Sequence, residues 1–244
     1  MMKRYMWVLL LAMASMKCVA GVSEGAKALI AKDYQTALKE FLPLANNGDA
    51  SAQYFLGTMY DDGDGVPQDD SQAVDWYRKA AAQGDVRAQR ALAFMYKYGQ
   101  GVTKDYSQAA DWYRKAATQG DAFAQYTLGE MYYYGQGVTK DDSKAVDWYR
   151  KAATQGDVSA LTELGLKYFI GRTVVARNVV LAHCFFNLAA DRGGKKAAEV
   201  RDRSAKHLTS AQLIEAKELA SQWVIGHPLP TITKTYPDSS PKEK

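Results

Sequence analysis

The phrase Asp-Trp-Tyr-Arg-Lys-Ala-Ala is written three times, at Asp75–Ala81, Asp111–Ala117 and Asp147–Ala153, at a constant interval of 36 residues. A catalytic site is assembled once, from residues gathered along a fold. A module that stacks on copies of itself has to be written repeatedly, so the interval predicts a tandem array of small helical units. Each 36-residue row shows a first helix by its spacing. Ala52, Ala88, Ala124 and Ala160 fall in one column, Leu56, Leu92, Leu128 and Leu164 in a second, and Tyr60, Tyr96, Tyr132 and Tyr168 in a third. Columns four residues apart form one stripe along a helix.

A second helix follows in each row. In one copy Ala109, Trp112, Tyr113, Ala116 and Ala117 lie at i, i+3, i+4, i+7 and i+8, a broad apolar face. The fixed-column tryptophans Trp76, Trp112 and Trp148 are expected to fill the core between repeats. On the polar side Asp75 with Lys79, Asp111 with Lys115 and Asp147 with Lys151 have i, i+4 ion-pair spacing. The dipeptides Gly48-Asp49, Gly84-Asp85, Gly120-Asp121 and Gly156-Asp157 mark the joints, glycine to end one helix and aspartate to cap the next. Paired loop glycines such as Gly99 and Gly101 permit the turn inside each row.

The register reaches beyond the perfect copies. Lys32–Asp49 aligns with Lys104–Asp121 without a gap, and a fourth row carries one extra residue in Gly171–Asn178, with Phe185 and Phe186 in place of Trp-Tyr. Lys195–Leu208 and Thr209–Trp223 read as a last helix pair, Thr209 and Gln212 having capping-box spacing. The expected organisation is a signal peptide over 1–20, an N-terminal helix pair over 21–48, four tandem repeats over 49–193, capping helices over 194–226 and a flexible tail over 227–244. That tail holds four of the six prolines and no amphipathic pattern.

Alanine, Leu-Gly, Tyr, two loop glycines and Val, then Ala, Trp-Tyr, Ala-Ala and Gly, clearest from Ala124 to Val138 and from Ala145 to Gly156, resemble the Sel-1-like repeat family over roughly Ala26 to Trp223. The resemblance implies an all-α fold, a right-handed α-solenoid of antiparallel helix pairs related to tetratricopeptide arrays. It also implies an exported bacterial adaptor or regulator that binds proteins in the cell envelope or towards a host. The departures are Thr173 for the second loop glycine of the fourth row and Phe185 for its tryptophan. Cysteine-rich relatives imply an alternative, weak hydrolysis of β-lactams or binding of muramyl peptides. They carry a cysteine pair in each repeat, and this chain does not.

The basic start (Lys3, Arg4), the apolar run Met6–Met13 and the small residues near Ala20 read as a secretory signal cut before Gly21. The run is too short to span a bilayer, and Lys17 before Cys18 disfavours lipidation. Cleavage removes Lys3, Arg4 and Lys17 and no acid, leaving 28 bases against 27 acids from the 31 and 27 of the whole chain. The alkaline pI of the whole chain therefore gives no support for nucleic-acid binding, which needs a concentrated basic stripe. Cys184 is then the single cysteine, so no internal disulfide is available.

Local chemistry is sparse. Taking Gly65 as the sixth residue of a calcium loop puts Tyr60 at the first position and Ser71 at the twelfth, where acids are needed. His183 and Cys184 are helix neighbours and diverge by about 100°, which does not suit a nucleophile with its base. No catalytic residue, metal or cofactor is expected. What remains is recognition. Two, six and nine residues after the fixed alanine the columns vary freely: Tyr54, Arg90, Tyr126 and Thr162; Thr58, Phe94, Glu130 and Leu166; Asp61, Lys97, Tyr133 and Phe169. Their spacing puts them on one side of the first helices, away from the Ala-Leu-Tyr stripe. Stacked first helices line the concave surface in related solenoids. Tyr54, Thr58, Arg90, Phe94, Lys97, Tyr126, Glu130 and Tyr133 are therefore expected to bind a protein or peptide partner in a concave groove. The chain is expected to act as a periplasmic or secreted monomer without stable membrane insertion.

Overall fold

The structure, a computed structural model, describes residues 21–171 and 174–232. Positions 1–20, 172–173 and 233–244 lie outside the described residues, and with them the expected signal peptide, Thr173 and the end of the tail. The described residues form helices only. They are α1 (21–30), α2 (Tyr34–Asn46), α3 (Ala50–Asp62), α4 (Asp70–Ala82), α5 (Val86–Tyr98), α6 (Tyr106–Thr118), α7 (Ala122–Tyr134), α8 (Asp142–Thr154), α9 (Val158–Ile170), α10 (Val179–Ala190), α11 (Lys195–Ala205) and α12 (Ser210–Gln222). The fold class is the expected one, an all-α solenoid of antiparallel helix pairs. Two compact units divide the chain, Met1–Ala116 and Ala117–Lys244.

The joints form as their chemistry dictates. Gly48, Gly84, Gly120 and Gly156 have φ between 83° and 97°, a region that only glycine enters without strain. The next residue is the N-cap: Asp49, Asp85, Asp121 and Asp157 each accept from the backbone N–H of the fixed alanine three positions on, at 2.7–3.0 Å. Each first helix ends on a left-handed glycine, Gly63, Gly99, Gly135 or Gly171. The capping box at Thr209 and Gln212 closes in both directions.

In the first unit α2 packs on α3, α3 on α4 and α4 on α5. The fixed Ala and Leu columns are fully buried, as expected, but the third member of the stripe differs. Met59 and Met95, and Met131 in the second unit, are 0–1% exposed, whereas Tyr60, Tyr96 and Tyr132 are only partly buried. The second helices bring a similar correction. Tyr77, Tyr113 and Tyr149 are the enclosed aromatic side chains; Trp76, Trp112 and Trp148 are half-buried at the margin of the seam. A tyrosine ring lies so close to the preceding helix that a Cβ on Gly57 would come within 2.7 Å of Tyr77, and one on Gly129 within 2.7 Å of Tyr149. That approach is why Gly follows Leu there.

The Asp–Lys pairing expected on the polar side is also displaced. The aspartates pair at i, i+3 with arginine: Asp75 with Arg78 at 2.8 Å, Asp111 with Arg114 at 2.6 Å and Asp147 with Arg150 at 3.6 Å. The lysines turn onto the tryptophans, Lys79, Lys115 and Lys151 placing Nζ 3.7–3.9 Å from the ring centroids of Trp76, Trp112 and Trp148. A ring with one face at the water boundary attracts a cation, and i, i+3 geometry supplies one.

In the second unit α7 packs on α8, α8 on α9, and α10 on α9, α11 and α12. The chain after α12 turns back onto this unit: the Gly226 N–H donates to Thr154 O at 2.8 Å, and Leu229 and Ile232 pack against its core. The part of the expected tail that the structure describes, up to Ile232, is therefore in contact with the fold.

Candidate partner-binding surface

None of the eight expected partner-binding residues is buried; each is half-buried or exposed on α3, α5 or α7. Their helices face outward there because the opposite side is held by Ala, Leu and Met in the core. The wider columns do not all behave so. Thr162 is buried, and its hydroxyl donates to Val158 O at 2.7 Å, a satisfied back-bond along α9.

In the first unit Tyr54 is held by a residue the sequence reading missed. The Arg87 guanidinium lies 4.4 Å from the Tyr54 ring centroid and 5.1 Å from that of Phe55. Its Nη2 donates to Asp85 Oδ2 at 2.6 Å and to Ser51 Oγ at 3.1 Å. The cap of α5 thus also aims an arginine at the α3 face. The Thr58 hydroxyl donates back along α3 to Phe55 O at 2.7 Å. Phe94 and Tyr98 form an exposed aromatic pair with centroids 4.4 Å apart, 40% and 55% exposed, and the Lys97 ammonium lies 5.5 Å from the Tyr98 ring. Arg90 lies half-buried on α5, within a turn of this pair.

In the second unit the Tyr126 hydroxyl donates to Glu130 Oε1 at 3.0 Å. Burial and the neighbouring carboxylates push the Tyr126 phenol above its ordinary range, so it remains a donor. Glu163 on α9 is raised by burial, helped by Glu130 and opposed by Lys167 and Lys196. Tyr133 meets Tyr134 edge-on at 4.9 Å, and the Lys167 ammonium lies 3.3 Å from the Tyr133 ring centroid.

Tyr98, Tyr134 and Ile170 fall in one column, the last position of the first helix, and are 54–64% exposed. Asp62 precedes them in the same column, which therefore varies as freely as the three selected. The signal was present one residue beyond the chosen set.

His183 and Cys184 serve packing. The buried His183 Nδ1 lies 2.8 Å from Ser204 Oγ, and burial pushes the Cys184 thiol up to about 12. Such a thiol does not ionise near neutrality. Among the described residues no cluster of three or more His, Cys, Asp or Glu could hold a metal, and no helix is long and apolar enough to cross a membrane.

Buried fixed columns, glycine–aspartate joints and a variable outward face define a protein built of tandem helix-pair repeats. The profile of the family described as Sel1 repeat matches residues 50–85, 86–121, 122–157 and 158–194, and the chain belongs to that family. Among solved structures it is similar to c5321, a protective antigen present in uropathogenic Escherichia coli strains and displaying an SLR fold. The identity there is 32% and the TM-score 0.76, over 88% of this chain and 48% of that one. The chain thus spans about half the length of that protein. It is also similar to a Sel1 repeat protein from Oxalobacter formigenes, at 32% identity and TM-score 0.71, over 82% of this chain and 84% of the other. No curated protein matches the sequence.

Proposed function

We propose that the chain is a protein-binding adaptor or regulator that catalyses nothing, and that it contacts its partner through the outward faces of its first helices. One observation carries this reading: aromatic and cationic side chains are held at the surface in the columns that the core leaves free. Phe94 and Tyr98 are both exposed beside Lys97, and Tyr and Arg are over-represented among interface hot spots. The alternative hydrolase or muramyl-peptide reading has no support in this chain, whose repeats lack the cysteine pair of the relatives that suggest it.

The reading is tested by retaining partners from an envelope extract on the full chain, then measuring the affinity of one identified partner for the double variant Phe94→Ala, Tyr98→Ala. Binding weakens at least tenfold, about 1.4 kcal/mol, with an unchanged melting curve. Unaltered affinity in the folded variant overturns it. The chain acts outside the cytoplasm after removal of residues 1–20, with a periplasmic or secreted location. N-terminal sequencing of exported protein should begin at Gly21; an intact Met1 or a lipidated Cys18 defeats this part.

A further inference from the structure

In the fourth repeat the sequence breaks the methionine column. Met59, Met95 and Met131 are enclosed, and the next position in the same column is Lys167. An ammonium cannot take the place of a buried thioether unless it is paired or reaches water. Lys167 escapes along Tyr133, with Nζ 3.3 Å from the ring centroid, and Lys140 from the α7–α8 loop places a second ammonium 5.6 Å from that ring.

Beside these cations lies a cleft of about 190 Å³ within the second unit. One wall is apolar, made by Val146 of α8, Ile170 of α9 and the loop residues Val174 and Val175. The remaining wall is Asp142 in the first turn of α8, whose Oδ1 is buried without a hydrogen-bond partner. A carboxylate with an oxygen buried and unpartnered is held at a cost, and a donor brought to that carboxylate relieves it. Thirty-six positions earlier, Tyr106 stands for Asp142 and Met131 for Lys167. The combination is written once in the chain and is no part of the repeated core.

We propose that this cleft binds the free C-terminus of a peptide whose last residue is apolar. The terminal carboxylate lies against the Lys140 and Lys167 ammonium groups, the last backbone N–H donates to the Asp142 carboxylate, and the last side chain covers the valine and isoleucine wall. Each group answers one feature of that terminus. A phosphate leaves the apolar wall unused and brings no backbone N–H to Asp142. A lone cation meets two ammonium groups. The volume is below the roughly 300–1,000 Å³ of pockets for drug-sized ligands, which suits one terminal residue. The proposal rests on the reading that the chain binds proteins, and it adds the part of the partner that this cleft selects.

The probes are N-acetyl-Ala-Ala-Leu as the free acid and as its C-terminal amide, titrated into the full chain and followed by NMR. The acid shifts the resonances of Tyr133, Val146 and Val174, and the amide binds at least tenfold more weakly. Lys167→Met, which restores the residue of the other repeats and keeps the fold, weakens the acid at least tenfold, as does Lys140→Gln. Asp142→Ala weakens acid and amide alike. Equal binding of acid and amide overturns the assignment, as does an absence of shifts at roughly millimolar peptide, or shifts that map away from the cleft. None of these outcomes touches the adaptor reading, whose test lies at Phe94 and Tyr98 in the other unit.

Discussion

Helices α8 and α10 hold the same place in successive repeats and are built to opposite rules. α8 buries Ala145, Val146, Tyr149, Ala152 and Ala153 and turns Asp147, Arg150 and Lys151 to water. α10 buries ten residues in succession, from Val180 to Ala189. The cause is cover: α8 packs on α7 and α9, whereas α10 packs on α9, α11 and α12. Allowing for the one-residue insertion, Asp-Trp-Tyr-Arg-Lys (Asp147–Lys151) becomes Cys-Phe-Phe-Asn-Leu (Cys184–Leu188). Every charge is gone, and the tryptophan has lost the indole N–H that full burial would leave in need of a partner. The repeated phrase therefore describes a helix covered on one side, and it is abandoned where cover closes around the helix.

Writing one word of the phrase back into α10 should break the comparison most severely. Leu188→Lys places an ammonium where the side chain is 2% exposed, and an uncompensated buried charge costs about 3–5 kcal/mol. Denaturant melts should show at least that loss. Loss below about 1 kcal/mol means that α11 and α12 do not enclose α10. A reciprocal exchange sharpens the contrast at lower cost. Phe185→Trp overpacks an enclosed site by about 1–3 kcal/mol, while Trp148→Phe at a half-buried site stays under about 1.5 kcal/mol. Equal losses would show that the two positions have the same surroundings. Truncation of the half-buried indole, Trp148→Ala, should cost about 1–2 kcal/mol. That is less than the about 3–5 kcal/mol of a fully buried tryptophan, and it includes the loss of the Lys151 contact.

The repeat made most of this architecture legible before any coordinates. Period, helix stripes, glycine–aspartate joints and the final capping box are local signals, and all of them are present in the structure. The errors arose where a stripe could not say which of two adjacent residues faces inward. Trp148 and Tyr149 lie about 100° apart on one helix, and both suit an apolar face. The deciding fact, that the tyrosine ring abuts Gly129, belongs to tertiary packing. The Asp–Lys pairs failed for a related reason, since the same lysines are within reach of tryptophan rings. The buried glutamines were legible but unread. Ala-Gln recurs at 52–53, 88–89 and 124–125, and the second and third of these side chains donate to Ala81 O and Ala117 O. At the candidate site the outward columns were visible as variation, yet Arg87, Lys140 and Asp142 were not. Their part depends on loops and caps folding back onto neighbouring helices.

The smallest effect tests the helix that α8 and α10 share. α9 packs against both, and this leaves Glu163 half-buried, with its carboxyl held above the ordinary range by burial first and by Glu130 second; Lys167 and Lys196 pull the other way. A carboxyl with a raised folded-state pKa binds its proton more readily in the folded chain. Its contribution therefore grows as pH falls from the raised value towards the ordinary ~4.3. Asp61, Asp62 and Asp157 are raised by burial too and act in the same window. The helix caps Asp69 and Asp141 are lowered by hydrogen bonds from the backbone, so their contribution is lost as pH drops below ~3.9 through their folded-state values. The melting temperature should thus rise modestly on acidification from neutral pH and then fall. Glu163→Gln removes the buried charge and should raise the neutral-pH Tm by about 1–2 °C, on the order of 0.5 kcal/mol, while flattening the rise. A variant that melts lower at pH 7 would show that the lysines outweigh burial at Glu163. Charge between Glu163 and Lys196 would then tie α9 to α11 as well.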